Sequence, residues 1–412
     1  MKLKIAVAGG GVMCALLLAQ TLARASRPEG IDLTSYLLSA RAVMHGDSPY
    51  ALDTPFPYLY PATLAFLLIP LALVTRTVGV VVWFAGSVAA VAWAIRKVLL
   101  MSRRDRFAAV GSNLQPRRGD VAVLLAVFFT FFFTIAQSNL RNGQVNFIVL
   151  ALCVAAAARD QRPATTAPSC LPALLWSLAI AIKIVPVALM PYFALRRRWT
   201  WIVASLLLAA AWSLLPAATL GNRIINIYQQ YWHAFLASSF APRPHPLDFS
   251  LAGTIAALAG AGTPSSLRIG AAILVVGAVT FTDVQRFRRD DARPLALYLL
   301  AIPLVSPQSE VHHLAFALPA AVVVAGELWA APRQAPRSLR FSVAIAAILY
   351  LAATAAPRAS GPLFCAAMIV VAVAVVKPTP MVRPKPDATD APSWTKGSGR
   401  DACKSRDQRR CR

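Results

Sequence analysis

Long apolar runs separated by short polar segments extend from near the start of the chain to about residue 377. Most of these runs approach the twenty or so residues that an α-helix needs to cross the hydrocarbon core of a membrane. A transmembrane β-barrel would instead be dominated by short segments of alternating hydrophobicity. The pattern therefore predicts an all-α polytopic integral membrane protein.

We expect about 12 transmembrane helices, with a range of 10 to 13 because short runs can be divided in more than one way. Residues 5–24 are interpreted as a retained first helix rather than a secretion signal, since no small-residue cleavage site follows and further spans do. The predicted spans are 5–24, 77–96, 120–138, 145–158, 171–183, 185–195, 199–219, 265–284, 294–305, 311–330, 340–356 and 361–377.

Two apolar stretches are too short to cross a membrane comfortably. Residues 62–74 are predicted to form a juxtamembrane or re-entrant helix within a first outer loop that covers 25–76. Residues 171–195 are predicted to form two short helices that meet near the outer face, because Lys183 and Pro186 interrupt the run. Such a break in a membrane is tolerated where protein or a cavity surrounds it.

The basic residues support this threading. Of the 41 Lys and Arg residues, 31 fall in the predicted inner segments and eight in the outer ones, as the positive-inside rule requires. Both termini are therefore expected in the cytoplasm. Residues 1–377 would form one transmembrane domain, and the basic, Pro-rich segment 378–412 a disordered cytoplasmic tail.

The net charge of +24 does not by itself indicate nucleic-acid binding, because the apolar composition explains it through cytoplasmic loops. A nucleic-acid-binding protein would need a basic folded domain, and the sequence shows none. The six cysteines form no C-x-x-C pair and none lies in a predicted outer segment, so neither disulfides nor a zinc site are expected.

The threading gathers the polar clusters of the chain on the outer face. Carboxylates, cations and amides at a membrane face cost free energy, so their presence there indicates a function. This combination of groups suggests chemistry on a lipid-borne substrate. The clusters are 25–60, 138–146, Lys183, the long loop 220–250 and 306–313.

Four stretches, spread over about residues 30–320, carry a more specific signal. They are the region from Asp32 through Tyr36 and Pro49-Tyr50 to Tyr60-Pro61, the helix opening Asn142-Gly-Gln-Val-Asn146, the segment Lys183-Ile-Val-Pro186 with the following Arg196-Arg-Arg-Trp199, and Ser306-Pro307 with His312-His313. In these residues and in their order the chain resembles the polyprenyl-phosphate-dependent glycosyltransferases of family 87, which have the integral-membrane GT-C fold.

The resemblance implies a hexosyltransferase of the plasma (inner) membrane with its active site on the periplasmic or outer side. Its donor would be a polyprenyl-phosphate sugar, mannose above all, although some relatives use arabinose. Its acceptor would be a lipid-linked or cell-envelope glycan, with membrane lipids around it and no cofactor. The resemblance also implies inversion, with an acidic residue of the first outer loop as general base, and Asp32 matches that position.

The residue types suit this chemistry. A carboxylate such as Asp32 can accept the proton of an acceptor hydroxyl while that oxygen attacks the anomeric carbon. The leaving phosphate needs cations or hydrogen-bond donors as its charge grows. We assign substrate or donor-phosphate binding to His312, His313, Lys183, Arg141, Gln144, Asn146, Tyr58 and Tyr60, with Arg76 as a further cation. No metal is expected, because the sequence has no D-x-D motif.

Each assignment has a structural alternative. Asp32 could cap a helix, and Glu310 is either a rival base or an acid favoured by a helix dipole. His312 and His313 would point about 100° apart on a helix, and we expect at least one of them to reach the donor phosphate, with no preference between the two. Lys183 could instead extend to the interface.

The remaining assignments also have alternatives, since Arg141, Gln144 and Asn146 could merely cap a helix. Tyr58 and Tyr60 could belong to an interfacial aromatic belt.

A glycosyltransferase is the leading interpretation of the whole chain. The strongest alternative is a flippase or transporter of a lipid-linked sugar, which would use the same cations but would not need Asp32 as a base. A non-catalytic membrane scaffold would not require so many outward polar groups.

The threading predicts that residue 110 faces the cytoplasm. In a cysteine-free background, Val110→Cys should react with a membrane-impermeant maleimide only from the cytoplasmic side. Labelling of intact cells from outside would contradict the threading.

Overall fold

The computed structural model describes residues 2–27, 29–52, 54, 56–107, 132–160, 170–233, 248–259, 265–287, 292–306, 309–330, 337–356 and 360–376. These residues form α-helices joined by short 3-10 helices and turns, and no strand occurs in the parts of the chain just given. The prediction of an all-α protein is confirmed.

The helices of the first half are named in chain order. They are α1 (Lys2–Ala25), α2 (Asp32–Met44), α3 (Ala62–Leu67), α4 (Ile69–Ala72), α5 (Arg76–Phe107), α6 (Phe132–Asn142), α7 (Asn146–Asp160), α8 (Leu171–Ile182), a 3-10 helix (Val185–Leu189) and α9 (Met190–Leu195).

The second half continues with two further 3-10 helices among the α-helices. The elements are α10 (Trp199–Leu214), α11 (Ala217–Leu220), a 3-10 helix (Gly221–Arg223), α12 (Ile224–Tyr231), α13 (Leu251–Ala259), α14 (Ser265–Arg286), α15 (Ala292–Val305), a 3-10 helix (Val311–Ala317), α16 (Leu318–Ala330), α17 (Arg337–Ala355) and α18 (Ser360–Val376).

Several of these helices can cross a membrane. Within the described residues, five continuous helical segments are long and apolar enough, and the bent pair α6–α7 makes a sixth if it is one span. Five shorter apolar helices lie at Gly9–Ala25, Leu171–Ile182, Val185–Leu195, Ala292–Val305 and Ser360–Val376. The polytopic class is thus confirmed, and the number of about 12 spans stays a prediction.

Some predictions fall outside the described residues. Residues 120–131 of the expected span 120–138, residues 234–247 of the loop 220–250 and the expected tail 378–412 lie there. Pro307 of the Ser306-Pro307 motif lies there too.

The first predicted outer loop contains the short helices α2, α3 and α4. Helices α3 and α4 have six and four residues, so at 1.5 Å per residue neither can span a membrane, as expected for 62–74. Both pack against α2, and Arg41 Nε donates to the carbonyl of Ala72 at 3.2 Å. The loop therefore forms a folded layer that holds α2 in place.

Buried ion pairs connect the later helices. Arg196 Nη1 lies 3.1 Å from Asp283 Oδ2, and its guanidinium carbon lies 3.7 Å from the ring centre of Tyr192. Arg293 pairs with Glu327 at 3.3 Å. Arg196 is therefore more than a charge that sets topology, because it packs inside the protein.

A sharp turn joins α6 to α7 and determines where the site forms. The chain bends by 115° between the two helices, and Gly143 in this turn has a φ of +68°. Trp83 Nε1 donates to the Gly143 carbonyl at 2.9 Å, and a Cβ on Gly143 would lie 2.6 Å from Leu33 Cβ. Only glycine allows this backbone and lets α2 approach so closely.

Gly143→Ala should therefore lower the thermal stability of the purified protein in detergent, because it adds backbone strain of about 1–2 kcal/mol to the clash with Leu33. Gly86→Ala is the matched control: Gly86 lies within α5, and a Cβ there would meet no atom within 4 Å. Equal thermal transitions for the two variants would contradict this account of the turn.

Candidate active site

The residues of the site come from four places where helices begin or break. These are the start of α2 at Asp32, the α6–α7 turn, the break after α8 at Lys183, and the 3-10 helix that follows Glu310. At a helix break, backbone and side-chain polar groups that a continuous membrane helix would keep apart can come close together. Sequence positions more than 100 residues apart are thereby brought together.

Asp32 and Gln144 form the first half of the site. Asp32 Oδ2 accepts a hydrogen bond from Gln144 Nε2 at 2.7 Å. The Gln144 carbonyl oxygen in turn accepts the hydroxyls of Tyr60 at 3.0 Å and Tyr36 at 3.3 Å. Because the tyrosines donate to the oxygen, the amide nitrogen must face the carboxylate. Asp32 is only partly buried, whereas Gln144 is 5 % exposed.

The surroundings of Asp32 change its acidity. Burial raises the pKa of the Asp32 carboxyl to about 6, and the charge of Glu310 adds to this rise. The Gln144 hydrogen bond and the charge of Arg24 act in the opposite direction. A carboxylate with this pKa is a stronger base than an ordinary aspartate and remains ionised at neutral pH.

Lys183 forms the second half of the site. It follows the last residue of α8 in an extended conformation, with φ −151° and ψ 121°. Its Nζ donates to Asn146 Oδ1 at 2.7 Å, lies 2.8 Å from His313 Nε2, and is 5.5 Å from the ring centre of Tyr60. Tyr60 is therefore the residue that connects the two halves.

The contact between Lys183 and His313 has a chemical consequence. His313 Nδ1 accepts the backbone N–H of Glu310 at 3.0 Å, so the neutral ring carries its proton on Nε2 and points it at Lys183. An ammonium at Lys183 would then face another donor. An anionic oxygen within hydrogen-bonding distance of both nitrogens would accept from both.

His312 lies beside His313, with ring centres 4.3 Å apart. Its Nδ1 is 3.7 Å from Glu310 Oε2, and the Glu310 side chain is 43 % exposed. Both histidine rings therefore lie near the site. The two rings lie closer together than the 100° between successive residues of an α-helix had suggested. Glu310, the rival base, lies within electrostatic range of both Asp32 and Lys183.

Asn139 is a residue of this site that the sequence did not single out. Its side-chain nitrogen donates to the carbonyl of His312 at 3.0 Å, and Asn146 donates to the same carbonyl at 3.1 Å. Asn146 also donates to Asn139 Oδ1 at 3.2 Å. These two amides attach the histidine segment to the α6–α7 turn.

Asp248 holds the start of the histidine segment, at Ser309, in place. Its Oδ1 accepts the backbone N–H groups of Ser250 and Ser309, each at 3.0 Å. The residue is 2 % exposed, and its Oδ2 lies 4.0 Å from Arg268. The only signal in the sequence was an Asp-Phe-Ser segment before an apolar run, which is typical of a helix start.

Three other predicted residues lie at the edges of this network. The Tyr58 hydroxyl donates to the carbonyl of Pro61 and accepts from the backbone N–H of Ala65, and these bonds hold Tyr58 in the tyrosine cluster. Arg76 donates to Thr34. Arg141 lies within electrostatic range of Arg24, and its buried Nε makes no hydrogen bond within the described residues.

The helix-cap alternative for Asp32 is wrong. Ile31 is the N-cap of α2, and Asp32 is the first residue of the helix. The N–H of Ile31 donates to Thr34 Oγ1 at 3.1 Å, so the cap interaction does not use the Asp32 side chain. The position in the first turn still favours a negative charge.

The arrangement as a whole combines a carboxylate with raised pKa and a basic pair around buried amides and tyrosines. Across the described parts of the chain, no three His, Cys, Asp or Glu side chains are grouped as metal ligands. The carboxylate can accept a proton, and the basic pair can donate hydrogen bonds to an anion. In an all-helical membrane protein, this combination indicates an enzyme that acts on lipid-borne substrates.

Comparison with known proteins identifies the class. The sequence model of Glycosyltransferase family 87 matches residues 58–307, so the chain belongs to this family and is a membrane glycosyltransferase. The matched range contains Tyr60, Gln144, Asn146 and Lys183, and it ends before His312. The resemblance expected from the sequence is confirmed.

Two similar proteins are both described as polyprenol-phosphate-mannose-dependent alpha-(1-2)-phosphatidylinositol mannoside mannosyltransferases. The protein of Mycobacterium tuberculosis (strain ATCC 25618 / H37Rv) is 26% identical over 322 residues, which cover 72% of this chain and 70% of the relative. The protein of Mycolicibacterium smegmatis (strain ATCC 700084 / mc(2)155) is 26% identical over 327 residues, with the same shares.

Proposed function

We propose that this protein is an inverting mannosyltransferase that transfers mannose from a polyprenyl-phosphate donor to a lipid-linked or cell-envelope glycan. The names of the two relatives support the donor, and a phosphatidylinositol mannoside is the acceptor class that they suggest. The observation that carries the proposal is the network in which Asp32 and the Lys183–His313 pair lie on either side of Tyr60 and Gln144.

The reaction is a single displacement. The acceptor hydroxyl oxygen attacks the anomeric carbon of mannose, and its proton passes to Asp32. The bond between that carbon and the phosphate oxygen breaks, and polyprenyl phosphate leaves with the bonding electrons. Because attack occurs opposite the leaving group, base and phosphate-binding groups must lie on opposite sides of the sugar.

Each half of the site has a role in this scheme. Gln144 holds the Asp32 carboxylate in place while that carboxylate takes the hydroxyl proton. Lys183 and the Nε2–H of His313 donate to the phosphate as it gains charge. His312 lies beside His313 on the same side of the sugar. Tyr60 lines the sugar site between them.

The charge distribution supports the placement of this site. We place it on the outer face of the plasma membrane, with both termini in the cytoplasm, because most basic residues fall in the opposite loops. Residues 1–377 would form the transferase domain, with 25–76 as its outer loop, and 378–412 a cytoplasmic tail.

Asp32→Asn tests the base directly. With polyprenyl-phosphate mannose and a phosphatidylinositol mannoside acceptor, the reconstituted variant should lose transfer by about a thousandfold because no carboxylate remains to accept the proton. Donor binding should persist, since Lys183 and His313 are unchanged.

Asp47→Asn is the matched control, because Asp47 is exposed in the same loop. Glu310→Gln should keep most of its activity. Full activity in Asp32→Asn would contradict the assignment, and loss only in Glu310→Gln would identify the rival base. A wild-type protein that moves the lipid across the membrane without sugar transfer would instead be a flippase.

The pH profile provides a separate prediction. Because the base must be ionised, kcat/KM should fall below about pH 6, reaching roughly a tenth of its plateau at pH 5. An aspartate of ordinary pKa would stay ionised and active at that pH. Gln144→Met should move the acid limb to higher pH, because it removes a hydrogen bond that lowers the pKa of Asp32. An acid limb near pH 4 in wild type would contradict the prediction.

A further inference from the structure

Two arginines lie where α1 and α6 end, within electrostatic range of each other. Arg24 is in the last turn of α1, and Arg141 is the penultimate residue of α6. Arg24 Nη1 donates to Asn142 Oδ1 at 2.8 Å, and Thr21 Oγ1 donates to the Leu140 carbonyl at 3.3 Å. These bonds hold together the two helix ends that carry the arginines.

Among the described residues, no carboxylate is in contact with either arginine of this pair. Arg24 lies within repulsive electrostatic range of Arg141. Neither side chain has an ion pair in the described part of the protein, and the buried Nε of Arg141 has no hydrogen-bond partner there. Adjacent like charges are unfavourable, so an anion bound between them would be strongly stabilised.

The position of the pair relative to Asp32 indicates which substrate it serves. Arg24 donates to Asn142, two residues before the Gln144 that donates to Asp32, and the charge of Arg24 acts on Asp32. The arginine pair therefore belongs to the Asp32 side of the site. In a single displacement, the acceptor enters on that side and the donor phosphate leaves on the other.

We infer that Arg24 and Arg141 bind the phosphodiester of an anionic acceptor lipid, separately from the donor phosphate at Lys183 and His313. The guanidinium fork suits two phosphate oxygens, and a phosphodiester carries one negative charge over the whole working pH range. With the phosphate held there, a hydroxyl on the attached glycan reaches Asp32. This inference rests on the proposed transferase function and reassigns Arg141 from donor to acceptor.

The alternative is that the pair only attracts bulk anionic lipid at the membrane surface. Such a site would not distinguish the acceptor from phosphatidylglycerol and would not affect catalysis with a charged acceptor more than with an uncharged one. The two possibilities therefore differ in the kinetic constant that a mutation changes.

Arg141→Gln provides the test, with two acceptors of the same acyl chains: a phosphodiester-linked lipid mannoside and an uncharged alkyl mannoside. The variant should raise KM for the charged acceptor about 10- to 100-fold, the equivalent of losing a charge-assisted hydrogen bond. KM for polyprenyl-phosphate mannose and for the uncharged acceptor should stay within about twofold. Arg141→Lys should fall between, because it keeps the charge and loses the fork.

Arg27→Gln is the matched control, since Arg27 is an exposed arginine only three residues after Arg24. It should leave both KM values unchanged. A rise in the donor KM in Arg141→Gln would place the donor phosphate at the arginine pair, and equal effects on both acceptors would also overturn the inference.

A binding measurement keeps this test separate from the proposed reaction. The charged mannoside should raise the thermal transition of wild type in detergent, and Arg141→Gln should remove that rise. Equal stabilisation by phosphatidylglycerol would indicate a general lipid site and overturn the inference. Loss of transfer with every acceptor, despite this selective binding, would contradict the proposed function and leave the arginine site supported.

Discussion

The orientation of one buried amide determines the rest of the site. Gln144 donates from nitrogen to Asp32 and accepts at oxygen from Tyr36 and Tyr60, so its side chain cannot turn without breaking these bonds. Tyr60 then lies next to Lys183, which reaches Asn146 and His313. The proposed base and the proposed phosphate-binding pair are thus connected by neutral groups that do not titrate in the working pH range.

This network exists because the membrane environment penalises unpaired polar groups. An uncompensated amide or backbone carbonyl inside an apolar protein costs on the order of 1–3 kcal/mol, so the breaks at Gly143 and Lys183 require partners. Asn139 and Asn146 satisfy the His312 carbonyl, and Asp248 satisfies the backbone of the Ser309 segment. The groups proposed to bind the substrate are therefore positioned by groups that stabilise the helix breaks.

The sequence predicted the class, the short helices of the first loop and the residues that meet around Gln144. It succeeded there because apolar periodicity and the membrane's thickness leave few arrangements, and because the resemblance pointed to Asp32. It did not predict the roles of Asn139 and Asp248, since their partners are backbone groups more than 60 residues away. It also gave no indication that Arg196 is buried against Asp283, because this contact joins residues 87 positions apart.

The central claim is that the donor phosphate and Asp32 lie on opposite sides of the bound sugar. A structure of the protein with a non-transferable phosphonate analogue of polyprenyl-phosphate mannose measures this directly. The account predicts phosphonate oxygens within hydrogen-bonding distance of Lys183 Nζ and His313 Nε2, with the anomeric carbon facing Asp32. A phosphonate bound between Arg24 and Arg141, or a sugar whose anomeric carbon faces away from Asp32, would contradict it.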